Sequence, residues 1–345
     1  NTYNYILMLS KDVNDLKSEY LAVYNLALLE SLKGNYKISL DYLKYSLKLA
    51  TKLNNKSYLT QTFNSLSITN YKYGNYEEGK KYGFKALKLS KKLSNLSLIA
   101  NLSLNICLNY EFLNKKDLSK EYCNKAVNIN EKLGKIINDP RYFIKNGNIY
   151  SYASSIRDYE NSLNSYREAL KISHLFNLKL VEIKALFGLS EAENILNNKA
   201  QAIGFLNKAM RLKNALNINE EACDNCKYGF IYWGGKKAQE AIRYYEKAFV
   251  TALENDDKSA LSSTTSHLAS IYFGLKDYKK AMKYSTISLN TNKKIYKDTH
   301  HYINYQEGWQ KEIKEKMIDH RRKSFNNKTN INNKKEHNGK DRKTK

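Results

Sequence analysis

The sequence predicts an all-α fold, an α-solenoid of antiparallel helix pairs stacked side by side. The first observation behind this is a small residue that returns at Ser46, Ala86, Ala126, Ala169, Ala209, Ala248 and Ser288. The gaps are 40, 40, 43, 40, 39 and 40 residues. A fixed period of this size marks units that bury their apolar faces only against neighbours. The second observation is a set of columns in step with the first. Seven residues earlier stands another small residue (Ser39, Gly79, Ser119, Ser162, Ala202, Ala241, Ala281). Four earlier lies an aromatic ring (Tyr42, Tyr82, Tyr122, Phe205, Tyr244, Tyr284), with Ser165 the exception. An apolar residue follows each small one: Leu47, Leu87, Val127, Leu170, Met210, Phe249, Leu289. Most of these positions share one helical stripe, where small residues let two backbones approach and rings fill the space beside them. The third observation is turn chemistry. Asn54, Ser94, Gly134, Asn177, Asn217 and Asp256 close the stripes, and Gly and Asn tolerate the left-handed conformation that ends a helix. Gly34-Asn35, Gly74-Asn75, Asn114, Asn197-Asn198 and Gly234-Gly235 open the next ones.

Each unit therefore reads as a first helix of about 15 residues, a short turn and a second helix. Residues 1–14 fall in register as the second helix of a truncated unit, with Ile6, Leu7, Val13 and Asn14 on its tail; a capping helix is the alternative reading. The chain starts with Asn rather than Met, which fits a beginning inside a unit. Residues 15–300 hold seven units. The fourth carries three extra residues, has Arg157 in place of the turn glycine, and follows a long loop holding Pro140. Gly147-Asn148-Ile149-Tyr150 reads there as a first-helix motif displaced by one turn. An eighth unit fails, because Trp309 and Arg321 would occupy its two small sites. Residues 301–323 instead read as a C-terminal capping helix, with Tyr305, Trp309, Ile313 and Met317 along one face. Residues 324–345 are rich in Asn, Lys and Arg and nearly free of apolar residues, and are expected to form a disordered basic tail.

These columns resemble those of tetratricopeptide-repeat proteins of the longer, roughly 40-residue variety. Ala27, Ser67, Cys107, Ser190, Gly229 and Ala269 match the small site of the family's first helix. Gly34-Asn35-Tyr36 and Gly74-Asn75-Tyr76 match its turn signature, and Asp158-Tyr159 and Asp277-Tyr278 keep part of it. The fullest match is Tyr228-Gly229 with Tyr232, followed by Ala241, Tyr245 and Ala248. The resemblance covers residues 1 to 300 and implies a right-handed superhelix. The family's usual closing proline is missing, which fits longer second helices.

The formal net charge is +24, and residues 311–345 hold 13 Lys and Arg against 5 Asp and Glu. Lysines also cluster at Lys80, Lys81, Lys85, Lys88, Lys91 and Lys92 on one second helix. Such charge suits an acidic partner, an anionic membrane surface or nucleic acid. A solvated outer face in a Lys-, Asn- and Tyr-rich chain is the plainer reading of the array. The tail would attract polyanions without specificity. No apolar stretch is long enough to span a membrane, and the expected compartment is cytoplasmic.

Chemistry is sparse, and neither an enzyme nor a cofactor or metal site is expected. Cys223-Asp224-Asn225-Cys226 is a lone CxxC, whereas a structural zinc site needs four ligands. Cys107 and Cys123 fall on core positions and read as packing residues, so that all four thiols would be free. His300 and His301 read as adjacent helical residues that point apart. No dinucleotide, P-loop, HExxH or GxSxG motif occurs.

In the family the first helices line the concave side. The resemblance therefore implies a groove lined by Tyr24, Asn64, Tyr71, Asn101, Glu111, Lys184, Asn194, Trp233 and Phe273; Phe187 and Phe230 fall at matching positions and read equally well as rings packed between neighbouring helices. Asn can both donate to and accept from a peptide backbone, and exposed rings supply buried area for a side chain. Asn25 and Asn105 resemble the inward Asn of long-repeat members such as kinesin light chains. The pattern that clamps acidic C-terminal tails is not recognisable. The expected function is a non-catalytic protein- or peptide-binding scaffold or sensor, like the regulatory half of bacterial signalling proteins. A nucleic-acid-binding solenoid and a peptide-pheromone-receptor-like regulator are the alternatives.

Overall fold

The computed structural model describes the backbone of residues 2–340 apart from 93 and 299, and side chains as far as residue 323. Sixteen helices succeed one another among the described residues, with no strand. A first helix α1 (Thr2–Asp12) leads into seven hairpins: α2 (Leu16–Leu32) with α3 (Tyr36–Lys52), α4 (Lys56–Tyr73) with α5 (Tyr76–Lys92), and α6 (Leu96–Phe112) with α7 (Lys116–Ile137). Next come α8 (Pro140–Tyr152) with α9 (Tyr159–Leu175), and α10 (Lys179–Ile195) with α11 (Lys199–Ala215). The last two pair α12 (Ala222–Gly234) with α13 (Ala238–Glu254), and α14 (Lys258–Gly274) with α15 (Tyr278–Ile295). A final helix α16 (His301–Lys340) packs against α15.

The sequence columns become the packing. Every small residue of the leading column, from Ser46 to Ser288, is fully buried. Where the small column seven residues earlier carries serine it can seal the hairpin by a hydrogen bond to the first helix: Ser39 donates to the Ala27 carbonyl at 2.7 Å and Ser162 to that of Gly147 at 3.0 Å. The mirrored bonds run from Ser67 to the Gly79 carbonyl at 2.7 Å and from Ser190 to that of Ala202 at 2.8 Å. Side-chain carboxylates and amides at Asp15, Asn55, Asn95, Asp158, Asp257 and Asp277 cap first or second helices. Each such cap contributes about 1 kcal/mol. Asn54, Asn114, Asn177, Asn197 and Asn217 take positive φ at the turns, as the turn chemistry requires.

Several details differ from the sequence reading. Gly134 does not end a helix: α7 runs on to Ile137, and the left-handed residue is Asn138 (φ 48°). Gly134 is instead a close-approach site, where a Cβ would meet the Phe143 ring at 2.7 Å. Pro140 is not in a loop but is the first residue of α8, where its missing N–H costs nothing. At the α12–α13 turn the left-handed residue is Lys236, not either glycine. Cys107 and Cys123 are joined by a disulfide that ties α6 to α7, which removes the argument from four free thiols. The last helix carries the backbone past residue 323 to Lys340. The side chains of the expected basic tail, and all of residues 341–345, lie outside the described residues.

The array curves until its end meets its beginning. Lys258 Nζ donates to Asn35 Oδ1 at 2.8 Å, the Lys297 amide donates to the Tyr73 carbonyl at 3.3 Å, and Tyr296 lies against Tyr36. The segment between α15 and α16 thus rests on the inter-helix turns of the first two hairpins.

Candidate functional site

The inner wall consists of the first helices of the hairpins. Successive first helices touch one another (α2 with α4, α4 with α6, α8 with α10, α10 with α12, α12 with α14), while successive second helices stand further apart. Hydrogen bonds one repeat long knit this wall together. Tyr24 Oη meets Ser65 Oγ at 2.8 Å, Asn105 Nδ2 donates to Asn64 Oδ1 at 2.8 Å, and Glu111 accepts from the Ser155 amide at 2.9 Å. Further along, Tyr152 donates to Glu191 at 2.5 Å and Gln306 donates to Ser266 at 2.9 Å.

Several residues expected in the groove are thus engaged in the wall itself. Tyr24, Asn64 and Glu111 hold the next repeat. Asn101 is half-buried on α6, and Lys184 is exposed on α10. Tyr71 packs with Tyr76 and Phe112 beneath the closing segment, its hydroxyl pushed well above the usual range by burial. Trp233 lies over Gly274, and Phe273 packs on Tyr278 and Trp309 of α16.

The expected residue Asn194 and the two rings left open between groove and packing, Phe187 and Phe230, line a pocket of about 440 Å³ between α8, α10, α12, α13 and α14. Tyr152, Glu191, Lys227, Tyr245 and His267 complete it, and the sequence reading did not name them as groove residues. Phe230 is 41% exposed, an unusual state for a large ring. The Lys227 ammonium sits 4.9 Å over the Phe187 ring centroid. Asn194 is buried, and Lys199 donates to its Oδ1 at 2.7 Å and to its carbonyl at 2.9 Å. His267 stacks on Tyr245 at 5.0 Å, and burial holds its pKa below the usual histidine value. Tyr245 is fully buried and its hydroxyl has no hydrogen-bond partner among the described residues. A buried hydroxyl left unpaired costs about 1–3 kcal/mol. The pocket itself offers apolar walls, the Lys227 ammonium and the Glu191 carboxylate that Tyr152 already holds.

It does not offer obvious redox or metal chemistry. Burial pushes the thiols of Cys223 and Cys226 up, away from the reactive thiolate form. No group of three or more His, Cys, Asp or Glu among the described residues is placed to hold a metal ion. Part of the lysine cluster on α5 is engaged by neighbours on the outer face: Lys80 pairs with Glu77 at 2.5 Å, Lys81 pairs with Glu78 at 3.2 Å, and Lys85 covers the Phe63 and Tyr82 rings.

The two histidines do not point apart. His300 precedes α16 and accepts from the Tyr302 amide at 3.2 Å, so it follows non-helical geometry, and the two rings stack at 4.4 Å. Both face the Tyr76 hydroxyl, at 3.4 Å for His300 and 3.0 Å for His301.

Comparison with known proteins agrees with this architecture. The family model described as tetratricopeptide repeat matches residues 103–133 and 266–286. Those two stretches are similar to tetratricopeptide repeats, and the array as a whole is an all-α solenoid of the kind such repeats build. Similar solved structures include a Rap protein complexed with Competence and Sporulation Factor, at 14% identity and a TM-score of 0.59 over 81% of this chain and 76% of that one. The Rap conjugation gene regulator of plasmid pLS20 in complex with the Phr* peptide is similar at 13% identity and a TM-score of 0.56, over 83% of this chain and 77% of that one. Aspartyl phosphate phosphatase F from Bacillus subtilis aligns at 14% identity and a TM-score of 0.57, over 83% and 74% of the two chains. These identities speak for a shared fold, and one fold serves a regulator and a phosphatase alike. No curated protein matches the sequence. Among the described residues no helix is long and apolar enough to cross a membrane.

Proposed function

We propose that this tetratricopeptide-repeat chain is a regulatory, non-catalytic binder that takes a short peptide segment on its inner wall, anchored in the pocket between α8 and α14. The observation that carries the reading is the convergence of Phe187, Phe230, Lys227 and Glu191 on one pocket of the inner wall. Apolar walls with a few convergent polar groups are what a side-chain anchor needs. The ammonium and carboxylate would fix chain direction through the peptide's own charges. A protein of the same fold holds a peptide, which supports this use of the architecture. The remaining candidates, Tyr24, Asn64, Tyr71, Asn101, Glu111, Lys184, Trp233 and Phe273, would act as positioning and wall residues along the same groove.

A phage-displayed library of random heptapeptides, selected on the array, tests the proposal. Selected peptides should lose about tenfold or more in affinity on a Phe230→Ala/Lys227→Glu variant. They should be indifferent to Lys88→Glu on the outer helix α5. Peptides that bind the pocket variant as well as the parent would refute the pocket, and binding lost only with Lys88→Glu would move the site to the outer face.

A further inference from the structure

A second cavity, more voluminous than the inner pocket, does not lie on the inner wall. It is an outward-facing groove of about 710 Å³ between the second helices α9 and α11, floored by α10. Leu170, Phe205 and Leu212 form its apolar bottom, and Leu170 and Phe205 are only half-buried. Lys171, Lys208 and Arg211 stand exposed on its two rims. None of these three belongs to an ion pair among the described residues. Of the acids nearby, Glu193 holds Arg167 at 3.4 Å and Glu182, the one acid lining the groove, lies 3.0 Å from Lys179 and 3.4 Å from His174; Glu168 on the α9 bank is exposed and in no ion pair among the described residues, which leaves the cations in excess. At the groove's end the α9–α10 turn leaves Leu175 76% and Leu180 62% exposed. The groove is therefore an apolar trough between two unneutralised cationic banks.

We infer that this groove docks an acidic amphipathic helix of a partner protein. Its complement is an apolar ridge flanked by carboxylates on both sides, which is the cross-section of such a helix. The facing stripes span Arg167 to Leu175 and Phe205 to Ala215, about 12–15 Å at helical rise, or two to three turns of a partner. An extended strand is a poorer occupant, because α9 and α11 offer it no backbone edge and would leave its N–H and C=O groups unpaired. The exposed Leu175 and Leu180 extend the apolar contact beyond the trough. This surface is separate from the inner pocket, so it can operate with or without a peptide bound there.

The test uses the full chain and a labelled synthetic peptide of about 14 residues, with leucines at helical spacing on one face and glutamates on the other. A scrambled peptide of the same composition is the control, and fluorescence anisotropy is the readout. The amphipathic peptide should bind about tenfold more tightly than the scrambled one, and Lys171→Glu/Lys208→Glu/Arg211→Glu should remove that advantage. Reversing three equally exposed lysines on α5 (Lys88→Glu/Lys91→Glu/Lys92→Glu) should change binding by less than about twofold. Equal binding of the two peptides, an equal loss from the α5 reversal, or no binding of either peptide would each overturn the inference. Far-UV circular dichroism of both variants confirms that only surface charge has changed.

Discussion

The Tyr76 hydroxyl and the His301 Nδ1 lie 3.0 Å apart although 225 residues separate them in the chain. That contact closes one turn of the solenoid on itself. Around it His301 faces Phe112 at 4.6 Å, Tyr296 stacks on His300 at 4.1 Å, and Gly74 leaves room for the His300 ring. Gly74 holds φ 97°, so its lack of a Cβ serves the turn and the contact together.

The closure should loosen in acid. Burial, together with the neighbouring His301, lowers the His300 pKa to about 4, and burial lowers that of His301. Undocked, both would titrate near the ordinary value of about 6.5. The undocked state thus binds more protons between those values, so closure is fully favoured above pH 6.5 and weakens as pH falls towards about 4. Lys72 lines the same cleft and Lys258 lies beside it, while the nearby acids are Asp257 and Glu111. Small-angle scattering should show a larger maximum dimension at mildly acidic than at neutral pH. A His300→Gln/His301→Gln variant should lose that dependence, and an unchanged profile in the parent would count against the closure.

Tyr166 is clamped between two glycines. A Cβ on Gly147 would meet its ring at 2.5 Å, and one on Gly188 would meet it from the facing helix. The ring cannot yield cheaply, because its hydroxyl donates to Asn148 at 2.6 Å. Gly188→Ala should therefore destabilise by about 1–3 kcal/mol despite the gain in helix propensity. Gly204 sits in a helix with nothing within 4 Å of its added Cβ, and Gly204→Ala should stabilise by about 0.5–1 kcal/mol. Urea unfolding of the two variants should show midpoints moving in opposite directions.

These glycines also show what sequence can carry. The period and the buried small columns were legible because each hairpin must present the same few small residues to its neighbour. Two of the pocket residues share a stripe with a small site: Phe187 and Asn194 lie three before and four after Ser190. Lys227 and His267 lie two before their small sites, at the stripe's edge, where a charged or polar residue reads as solvated surface. Tyr152 was missed because the irregular fourth hairpin obscured Gly147 as its small site. The closing contact had no local signal at all, since it depends on the accumulated curvature of the whole array.

Lys213 and Asp224 form an ion pair at 2.6 Å in which both side chains are almost wholly buried, joining α11 to α12. Asp224 also accepts from the Glu221 amide at 2.9 Å. Lys213→Met would strand that carboxylate in the interior and should cost about 3–5 kcal/mol. Adding Asp224→Leu should recover much of the loss, because two apolar residues leave no charge to desolvate. Equal stability of the single variant and the parent in urea would show that water reaches the site.

The bond between Cys107 and Cys123 closes a loop of sequence separation 16 within the third hairpin, and both residues are fully buried. Cys107 is the small site of α6, and Cys123 lies three residues before the small Ala126 of α7, so both sit on the buried faces that this hairpin packs together. Cys223 and Cys226 remain free thiols. Maleimide labelling of unfolded, unreduced protein should therefore modify Cys223 and Cys226 alone, and prior reduction should expose Cys107 and Cys123 as well. Because the cross-link restrains the unfolded hairpin, reduction should lower stability by about 2–3 kcal/mol, while a Cys107→Ala/Cys123→Ala variant should be insensitive to reductant. Labelling of all four cysteines without reductant would mean that the two small sites pack as thiols.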